Sequence, residues 1–371
     1  MANGKNGVRF PAQLFSRLYP RVVPGPPAAN FALGGANITF DLLKIGYCAG
    51  LLLELRGTYT VAVADLVMLP RAPRNIFSRA IVQPPGAQPI INVGGHPLHV
   101  ENYRRHWAAP FKNVEERTVP NLDANAGAND PIDTFPLPVG AQTFNLRYWI
   151  PFSRSAYDPT GSLPLGNRGQ TQLILTPEAA ANFVTTPANL TLFTCTILRL
   201  TQFTWAPFPE DPSVVPWDLT KVYTMEEQSQ ATVIGDNFVN VDSKDRIVAL
   251  WHESWNTNIR ADGEITNIDF NLDDSQYMQN LPTLPWWWYT KHQNGVAYPP
   301  GIAAMLDFDA LHDADGASGK LYGPAFEPSK GPWINTAKIA TVRSRLVKDA
   351  TALANNPTIR TVVVREATIL G

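Results

Sequence analysis

Apolar and polar residues alternate along most of the chain, the pattern of strands that bury one face. Between Gly50 and Val63, leucine, tyrosine and valine residues alternate with charged residues and threonines. The segment Thr266–Asp274 alternates more regularly still. In Thr191–Trp205 the alternation slips near Leu198, which predicts a β-bulge inside a long strand.

Helical patterns are short and few. Thr176–Phe183 has threonine as a candidate N-cap and proline at the first helical position, and Val347–Asn355 has helical spacing. Phe10–Arg21 predicts a short amphipathic basic helix between prolines. Many strands with few helices favour an all-β fold made of sandwiches.

The chain divides into four predicted segments. They are an N-terminal arm or helix (1–34), a first strand-rich half (35–205), a proline-rich linker (206–218) and a second strand-rich half (219–371). Both halves close with a strand, a short helix and a further strand, and the last strand follows Asn189 in one half and Asn356 in the other. This shared order predicts an internal duplication. A proline-rich linker is stiff, so we expect it to set the angle between the halves.

Composition adds a preference for self-association. The 371 residues carry a net charge of −2, and only 17% are charged, below the usual ~25%. With ten tryptophans and 17 phenylalanines, the chain has the composition of a protein whose surface is buried against other copies. The two cysteines lie in apolar strand-like runs, which predicts small buried hydrophobic residues rather than a disulfide. We find no signal-peptide pattern at the start of the chain and no apolar run of membrane-spanning length.

The first forty residues contain basic residues and no acidic residue: Lys5, Arg9, Arg17 and Arg21. One interpretation is an arm that docks on its own domain. The other is a segment that faces an anionic surface, either lipid headgroups or nucleic acid. The neutral net charge argues against sequence-specific nucleic-acid binding.

Candidate metal and cofactor motifs are incomplete. His96, His99 and Glu101 are residue types that bind metals, but Pro97 is expected to break the helix that would align them, which favours a strand and loop with ordinary histidines. The segment around Asp313 and Asp315 lacks the ligands of a calcium loop, although an adventitious ion there stays open. We therefore predict no catalytic residues, no resident metal and no cofactor.

Two aromatic segments are further candidates for a site. In Trp251–Trp255, His252 and Glu253 are neighbours on a strand, so they point to opposite faces. Three consecutive tryptophans, Trp286, Trp287 and Trp288, have two interpretations. One is an exposed platform that stacks on sugars or lies at a membrane interface, and the other is packing into the core or into a contact between subunits. The contact is favoured, because an exposed tryptophan triplet would promote aggregation.

Leu146–Leu175 resembles the corresponding strand, loop and strand of tectivirus-type double jelly-roll major capsid proteins. The resemblance rests on Tyr148–Pro151, the Thr160-Gly161 turn and the return strand at Gln172–Leu175. Further segments follow in the order of that family. Thr39–Leu55 resembles its first two strands, Arg74–Gln83 its next strand and Gly94–Asn102 the following helix start. More faintly, Tyr289–Phe308 resembles a helix that leads through a Pro-Gly turn into a strand.

The resemblance implies two side-by-side eight-stranded jelly rolls in a major capsid protein of a membrane-containing icosahedral bacteriophage. It implies pseudo-hexagonal homotrimers that tile a shell over an internal membrane, with the N-terminal segment at the trimer base. Minor capsid, penton or cement proteins would be further partners. The protein would be assembled in the cytoplasm of a bacterial host and would reside in the virion. The loops Thr118–Thr143 and Pro151–Gly169 would both cap the outside.

Two alternatives stay open. The first is a two-domain β-sandwich protein that binds or processes glycans, with Trp286–Trp288 as a sugar platform and Glu253 and Asp274 as candidate carboxylates. The absent signal peptide and the lack of a paired carboxylate argue against it. The second is a vertex or spike protein of the same kind of virus, which the chain length and the paired halves disfavour.

Overall fold

A computed structural model describes most strands and one helix. The described residues are 18–63, 66, 75–104, 139–153, 161–166, 169–184, 186–207, 221–242, 245–256, 259–260, 265–273, 275–282, 302–307, 341–349 and 357–368. Within them, one α-helix, α1, spans Gly95–Arg104.

The strands of the first half are β1 (Leu18–Pro24), β2 (Ala29–Phe31), β3 (Ile38–Asp41), β4 (Tyr47–Val61), β5 (Phe77–Gln83), β6 (Ile91–Val93), β7 (Gly140–Pro151), β8 (Leu163–Pro164), β9 (Gln172–Pro177) and β10 (Leu190–Pro207). Those of the second half are β11 (Lys221–Ala231), β12 (Gly235–Val241), β13 (Arg246–Asn256), β14 (Ile259–Arg260), β15 (Ile265–Leu272), β16 (Ser275–Pro282), β17 (Ile302–Asp307), β18 (Val342–Lys348) and β19 (Pro357–Thr368).

Each half is an eight-stranded jelly roll with the same strand order. In the first half one sheet has the order β1-β10-β4-β7 and the other β3-β9-β5-β6. In the second half the corresponding sheets are β11-β19-β13-β17 and β12-β18-β15-β16. The short strands β2, β8 and β14 are additions to this pattern. The shared topology agrees with the predicted duplication, and the Asn189 and Asn356 segments each precede the eighth strand of their half.

The alternating segments form the strands that they predict. Within β4 the inward side chains Leu51, Leu53 and Leu55 are buried. Strand β10 pairs with β4 along most of its length, and the register shifts between Ile197 and Arg199, so the predicted bulge at Leu198 is confirmed. Both cysteines are free and buried, as their apolar surroundings predicted.

Three predicted helices need correction. Leu18–Pro24 is an edge strand rather than the end of a helix, and an edge strand tolerates prolines because one of its sides has no partner strand. Its pairing with β10 places residues 18–24 in the first jelly roll, which shortens the predicted arm. Thr176 lies in strand β9, and within the predicted helix 176–183 the structure has a single 3₁₀ turn, Ala180–Asn182. The candidate helix at 347–355 begins inside strand β18, and residues 350–355 lie outside the described residues. The predicted segment boundaries otherwise stay a prediction.

Aromatic side chains fill one end of the first core. The Phe144 ring stacks on Phe193 with centroids 5.3 Å apart, and Phe193 meets Phe183 edge to face at 5.3 Å. Gly57 lies opposite Phe144 in the β4–β7 pair, and a Cβ atom at Gly57 would stand 2.0 Å from that ring. The glycine therefore lets the ring lie directly over the backbone of β4.

A buried histidine links the two sheets of the second core. Nδ1 of His252 lies 2.9 Å from the Thr361 hydroxyl on β19, and Nε2 lies 2.9 Å from the Ser344 hydroxyl on β18, which belongs to the other sheet. Both ring nitrogens are therefore hydrogen-bonded. Burial lowers the pKa of His252 to about 3, because the apolar surroundings disfavour the charged imidazolium.

We expect Gly57→Ala to lower the free energy of unfolding by about 1–3 kcal/mol, because the new methyl group would displace the Phe144 ring. Gly166→Ala is the matched control, since the nearest atom to its Cβ would be 4.0 Å away. Urea unfolding of both variants checks this expectation. Equal stability of the two variants would contradict it.

We expect the free energy of unfolding to fall as the pH drops from about 6.5 toward 3. In that range the unfolded chain protonates His252 while the folded chain keeps it neutral, which costs up to roughly 1.4 kcal/mol per pH unit. Urea unfolding across this range, compared between the wild type and His252→Asn, isolates the histidine from carboxylate titration. The variant should show the shallower pH dependence, and identical slopes would refute this assignment.

Candidate functional site

Helix α1 carries the histidines that the sequence singled out, and it enters the contact between the two halves. Pro97 lies in the first turn of the helix, where a missing backbone N–H costs no hydrogen bond, so the expectation that it breaks a helix is wrong. His96, His99 and Glu101 are all buried. The described residues contain no group of three or more His, Cys, Asp or Glu positioned to hold a metal ion.

Glu253 on β13 meets His96 inside this contact. Nδ1 of His96 lies 3.2 Å from Oε1 of Glu253, and both side chains are completely buried. The indole nitrogens of Trp251 and Trp255 donate to the same carboxyl group, each at 3.2 Å. Trp251, Glu253 and Trp255 share one face of β13, whereas His252 faces the core of the second half, as strand alternation predicted.

A second carboxylate, Glu227 on β11, bridges the halves at the edge of the same contact. Its Oε2 accepts a hydrogen bond from the backbone N–H of Gly94 at 2.9 Å and lies 3.8 Å from Nη1 of Arg79, both in the first half. Its Oε1 lies 3.4 Å from Nη1 of Arg360 in the second half. The Arg360 guanidinium also lies 4.7 Å from the ring centroid of Trp255, which connects the two carboxylate clusters.

Backbone pairing completes this contact, which we call the inter-barrel junction. Strands β6 and β11 pair in parallel through Met225 with Ile91 and Glu226 with Asn92, so that one sheet of each half joins into a continuous sheet. The backbone N–H of Tyr223 also donates to the carbonyl of Phe152 at 2.9 Å. Apolar side chains of β11, β13 and β19 belong to the same hydrophobic cluster as the first core.

The sequence contains a signal for this junction in the segment around Glu253. Trp251, Glu253 and Trp255 occur at alternate positions, which places an acid between two indole donors on one strand face. Glu253, a candidate carboxylate under the glycan alternative, is instead a hydrogen-bond acceptor for two indole groups inside the junction. Because Glu253 is completely buried, it is not an accessible carboxylate of the kind that the glycan alternative requires.

The strand directions define two ends of the molecule. Leu18, the first residue of β1, pairs with Pro207 at the start of the linker. Strand β11 begins at Lys221, just after the linker. We call this end the linker end, and the opposite end, at which β4 ends and β7 begins, the far end. Strand β7 runs from the far end to the linker end. Residues 118–138 and 154–160 of the two predicted outer loops lie outside the described residues, so the position of these loops on the outside of a shell stays a prediction.

Exposed apolar side chains concentrate at the far end. Among the described residues, seven large apolar side chains are exposed, and five of them lie beyond or near the far ends of their strands: Val63, Val139, Leu192, Val233 and Ile234. Asn237 orders the turn that carries the last two, because its side chain bonds the N–H and the carbonyl of Val233, both at 2.8 Å. The far end thus presents apolar groups on an ordered turn.

The outer face of the first sheet carries an aromatic pair. The Trp149 ring lies over Gly50 and meets Phe203 edge to face, with centroids 5.1 Å apart. Trp149 itself is buried, whereas Val22, which pairs with Phe203 on the edge strand, is 63% exposed. This side of the first jelly roll is therefore apolar and partly open.

Most of the predicted site residues lie outside the described residues. Arg21 is exposed on edge strand β1, and its carbonyl accepts a hydrogen bond from the Thr204 hydroxyl at 3.4 Å. Those outside are Lys5, Arg9, Arg17, Asp274, Trp286, Trp287, Trp288, Asp313 and Asp315. Within the described part of the chain, no helix is both long and apolar enough to cross a membrane.

Solved structures of viral capsid proteins are similar to this chain over nearly its whole length. The major capsid protein of Sulfolobus turreted icosahedral virus aligns with a TM-score of 0.65 at 12% identity, over 95% of this chain and 97% of that chain. The capsid structure of PBCV-1 virus aligns with a TM-score of 0.60 at 9% identity, over 94% and 93%. The major capsid protein of bacteriophage PM2 aligns with a TM-score of 0.52 at 11% identity, over 95% and 100%.

No protein-family model and no curated protein matches the sequence. The structures to which the chain is similar are capsid proteins rather than enzymes. The chain therefore has the double jelly-roll fold of viral major capsid proteins, as the resemblance in the sequence predicted.

Proposed function

We propose that this chain is a major capsid protein whose homotrimers tile an icosahedral shell over an internal membrane. The observation that carries the proposal is the pair of jelly rolls with identical strand order, joined side by side through the inter-barrel junction. Two equal lobes in each chain give three copies a pseudo-sixfold outline. The similarity to major capsid proteins over 94–95% of the chain supports this function.

The orientation of the trimer follows from the two ends of the molecule. Strand β1 begins at the linker end with Leu18, to which the basic N-terminal segment is attached in the sequence. A membrane with anionic lipids attracts such a segment, so the linker end would face the interior. The far end, with its ordered turn and exposed apolar groups, would face outward and be available to minor capsid or cement proteins.

The lateral contacts of the trimer would use the sides of the jelly rolls. The partly open apolar face around Trp149, Phe203 and Val22 is one such side. Fully buried apolar area stabilises permanent assemblies, whereas the contacts between trimers would be smaller and more polar.

We expect the purified protein to be a stable trimer, with about three times the 40.8 kDa mass of the chain. Size-exclusion chromatography with light scattering measures that mass, and negative-stain electron microscopy shows whether the particle outline is pseudo-hexagonal. A monomer or dimer at every concentration tested would count against the capsid function and return the glycan alternative to consideration.

We expect the triple variant Arg9→Glu, Arg17→Glu and Arg21→Glu to remain trimeric and to lose most of its flotation with anionic liposomes, because the arm and the adjoining position Arg21 on β1 would then repel the anionic headgroups. The matched control changes three exposed arginines on strands outside the arm to glutamate: Arg56, Arg199 and Arg343. The control has the same net charge and should float as the wild type does. Equal flotation of the triple variant and the wild type would show that the arm has no membrane role.

A further inference from the structure

We propose that the polar side chains of the inter-barrel junction, rather than the proline-rich linker, fix the orientation of the two jelly rolls. The group consists of Glu253 with His96 and Glu227 with Arg79 and Arg360, and we call it the inter-barrel lock. The orientation itself does not depend on the proposed function. Its consequence, that a fixed orientation is needed for a trimer to close, rests on that function.

Backbone pairing alone leaves the orientation weakly determined. The parallel contact between β6 and β11 involves two residue pairs, Met225 with Ile91 and Glu226 with Asn92. The backbone N–H groups of Tyr223 and Met225 also donate to carbonyls of the first half, at 2.9 Å each, so all of this backbone pairing lies within residues 223–226 of one strand. Apolar contact across the junction is extensive but not directional, so it permits one half to slide or turn against the other. Hydrogen bonds and ion pairs are directional, and they discriminate between orientations.

The lock holds each half at two separate points. Glu253 contacts His96 at the start of α1, where both side chains are completely buried. Glu227 contacts the Gly94 backbone and Arg79 of β5, where the Arg79 side chain is 39% exposed. Two anchor points prevent the rotation that a single point would allow.

Any other orientation would leave Glu253 with a large energetic penalty. A turn of one half against the other would remove His96 from the buried Glu253 carboxyl group and leave it only the indole donors of its own strand, Trp251 and Trp255. Leaving a buried charged or polar group without its partner is far more costly than breaking an exposed ion pair. The lock therefore selects one orientation, because every other orientation is penalised.

The test measures the distance between spin labels in the full-length chain. Thr194→Cys on β10 and Asn240→Cys on β12 place one label on an exposed strand position in each half. The native thiols stay unlabelled, because Cys48 and Cys195 are buried, and burial raises the pKa of Cys48 to about 12 and that of Cys195 as well. The labelled chains are diluted into an excess of unlabelled chains, so that a trimer carries the labels of one chain at most, and pulsed electron–electron double resonance then reports the distribution of distances between the halves of that chain.

Three variants separate the lock from general ion-pair loss and from the linker. Glu227→Gln combined with Glu253→Gln keeps the side-chain shapes, removes both carboxylates and sets an amide NH₂ against the indole donors. Glu54→Gln is the matched control, because Glu54 contacts two arginines, Arg147 at 3.1 Å and Arg199 at 3.6 Å, within the first half alone. Replacement of the linker prolines Pro209, Pro212 and Pro216 by serine tests the linker.

We expect one narrow distance distribution for the wild type, the Glu54→Gln control and the linker variant, and a distribution at least twice as broad for the double variant. An unchanged width in the double variant, or broadening in the linker variant alone, would overturn the proposal. If the double variant does not fold, Glu227→Gln alone retains the buried pair and should still broaden the distribution measurably. An unchanged width in that single variant would then overturn the proposal.

Trimer formation by the same variants tests the consequence for assembly. A double variant with a broad distribution that still forms trimers would refute the link to assembly and leave the lock standing. A wild type with a narrow distribution that forms no trimer would refute the proposed function and again leave the lock standing. Loss of the homogeneous trimer in the double variant, with the trimer kept in Glu54→Gln, would support both.

Discussion

The second half of the molecule has a sheet that is buried on both faces, and the attachment of the two jelly rolls depends on it. One face of β13 and β19 contributes Leu250 and Val363 to the core of the second half. The other contributes Trp251 and Val362 to the cluster that includes the first core. Polar side chains on a strand that is buried on both faces cannot form hydrogen bonds with water, so Glu253 and His252 each need partners within the protein.

This constraint accounts for the polar residues of β13. His252 bonds hydroxyl groups toward the second core, and Glu253 accepts indole and imidazole hydrogen bonds toward the first half. Neither group is exposed, and neither has the solvent access that catalysis needs. Residues that resembled candidate chemistry in the sequence therefore act as internal connectors.

The local pattern is sufficient for the regularly alternating strands, but it assigns β1 and the end of β9 to helices and does not report which segments pair. Alternation predicted β4 and β10, and the slip at Leu198 predicted the bulge, because a strand with one buried face records its orientation residue by residue. The residue pattern alone does not predict helix α1, because Pro97 is interpreted as a helix breaker although proline is compatible with a first turn. Only the resemblance, which places a helix start at Gly94–Asn102, indicates this helix. The pairing of His96 with Glu253 spans 157 positions, and no local pattern reports a contact between residues so far apart.

The similarity to capsid proteins at 9–12% identity has the same physical origin. A jelly roll requires alternation, suitable turns and a filled core, and many different side chains meet those requirements. The fold can therefore persist after almost every individual residue has changed. The features particular to this chain lie on its surfaces and in the contact between its two halves.

Strand length has a consequence for the dimensions of the proposed shell. Strand β10 has 18 residues and β4 has 15, and an extended residue advances about 3.3 Å, so these strands cover roughly 50–60 Å. If the jelly rolls stand upright in a shell, as we propose, this distance becomes the thickness of its wall. Strands β4 and β10 are paired along most of their length, and register shifts such as the one at Leu198 accommodate unmatched residues, so the length of the paired ladder rather than of either strand alone would set the thickness of the proposed shell.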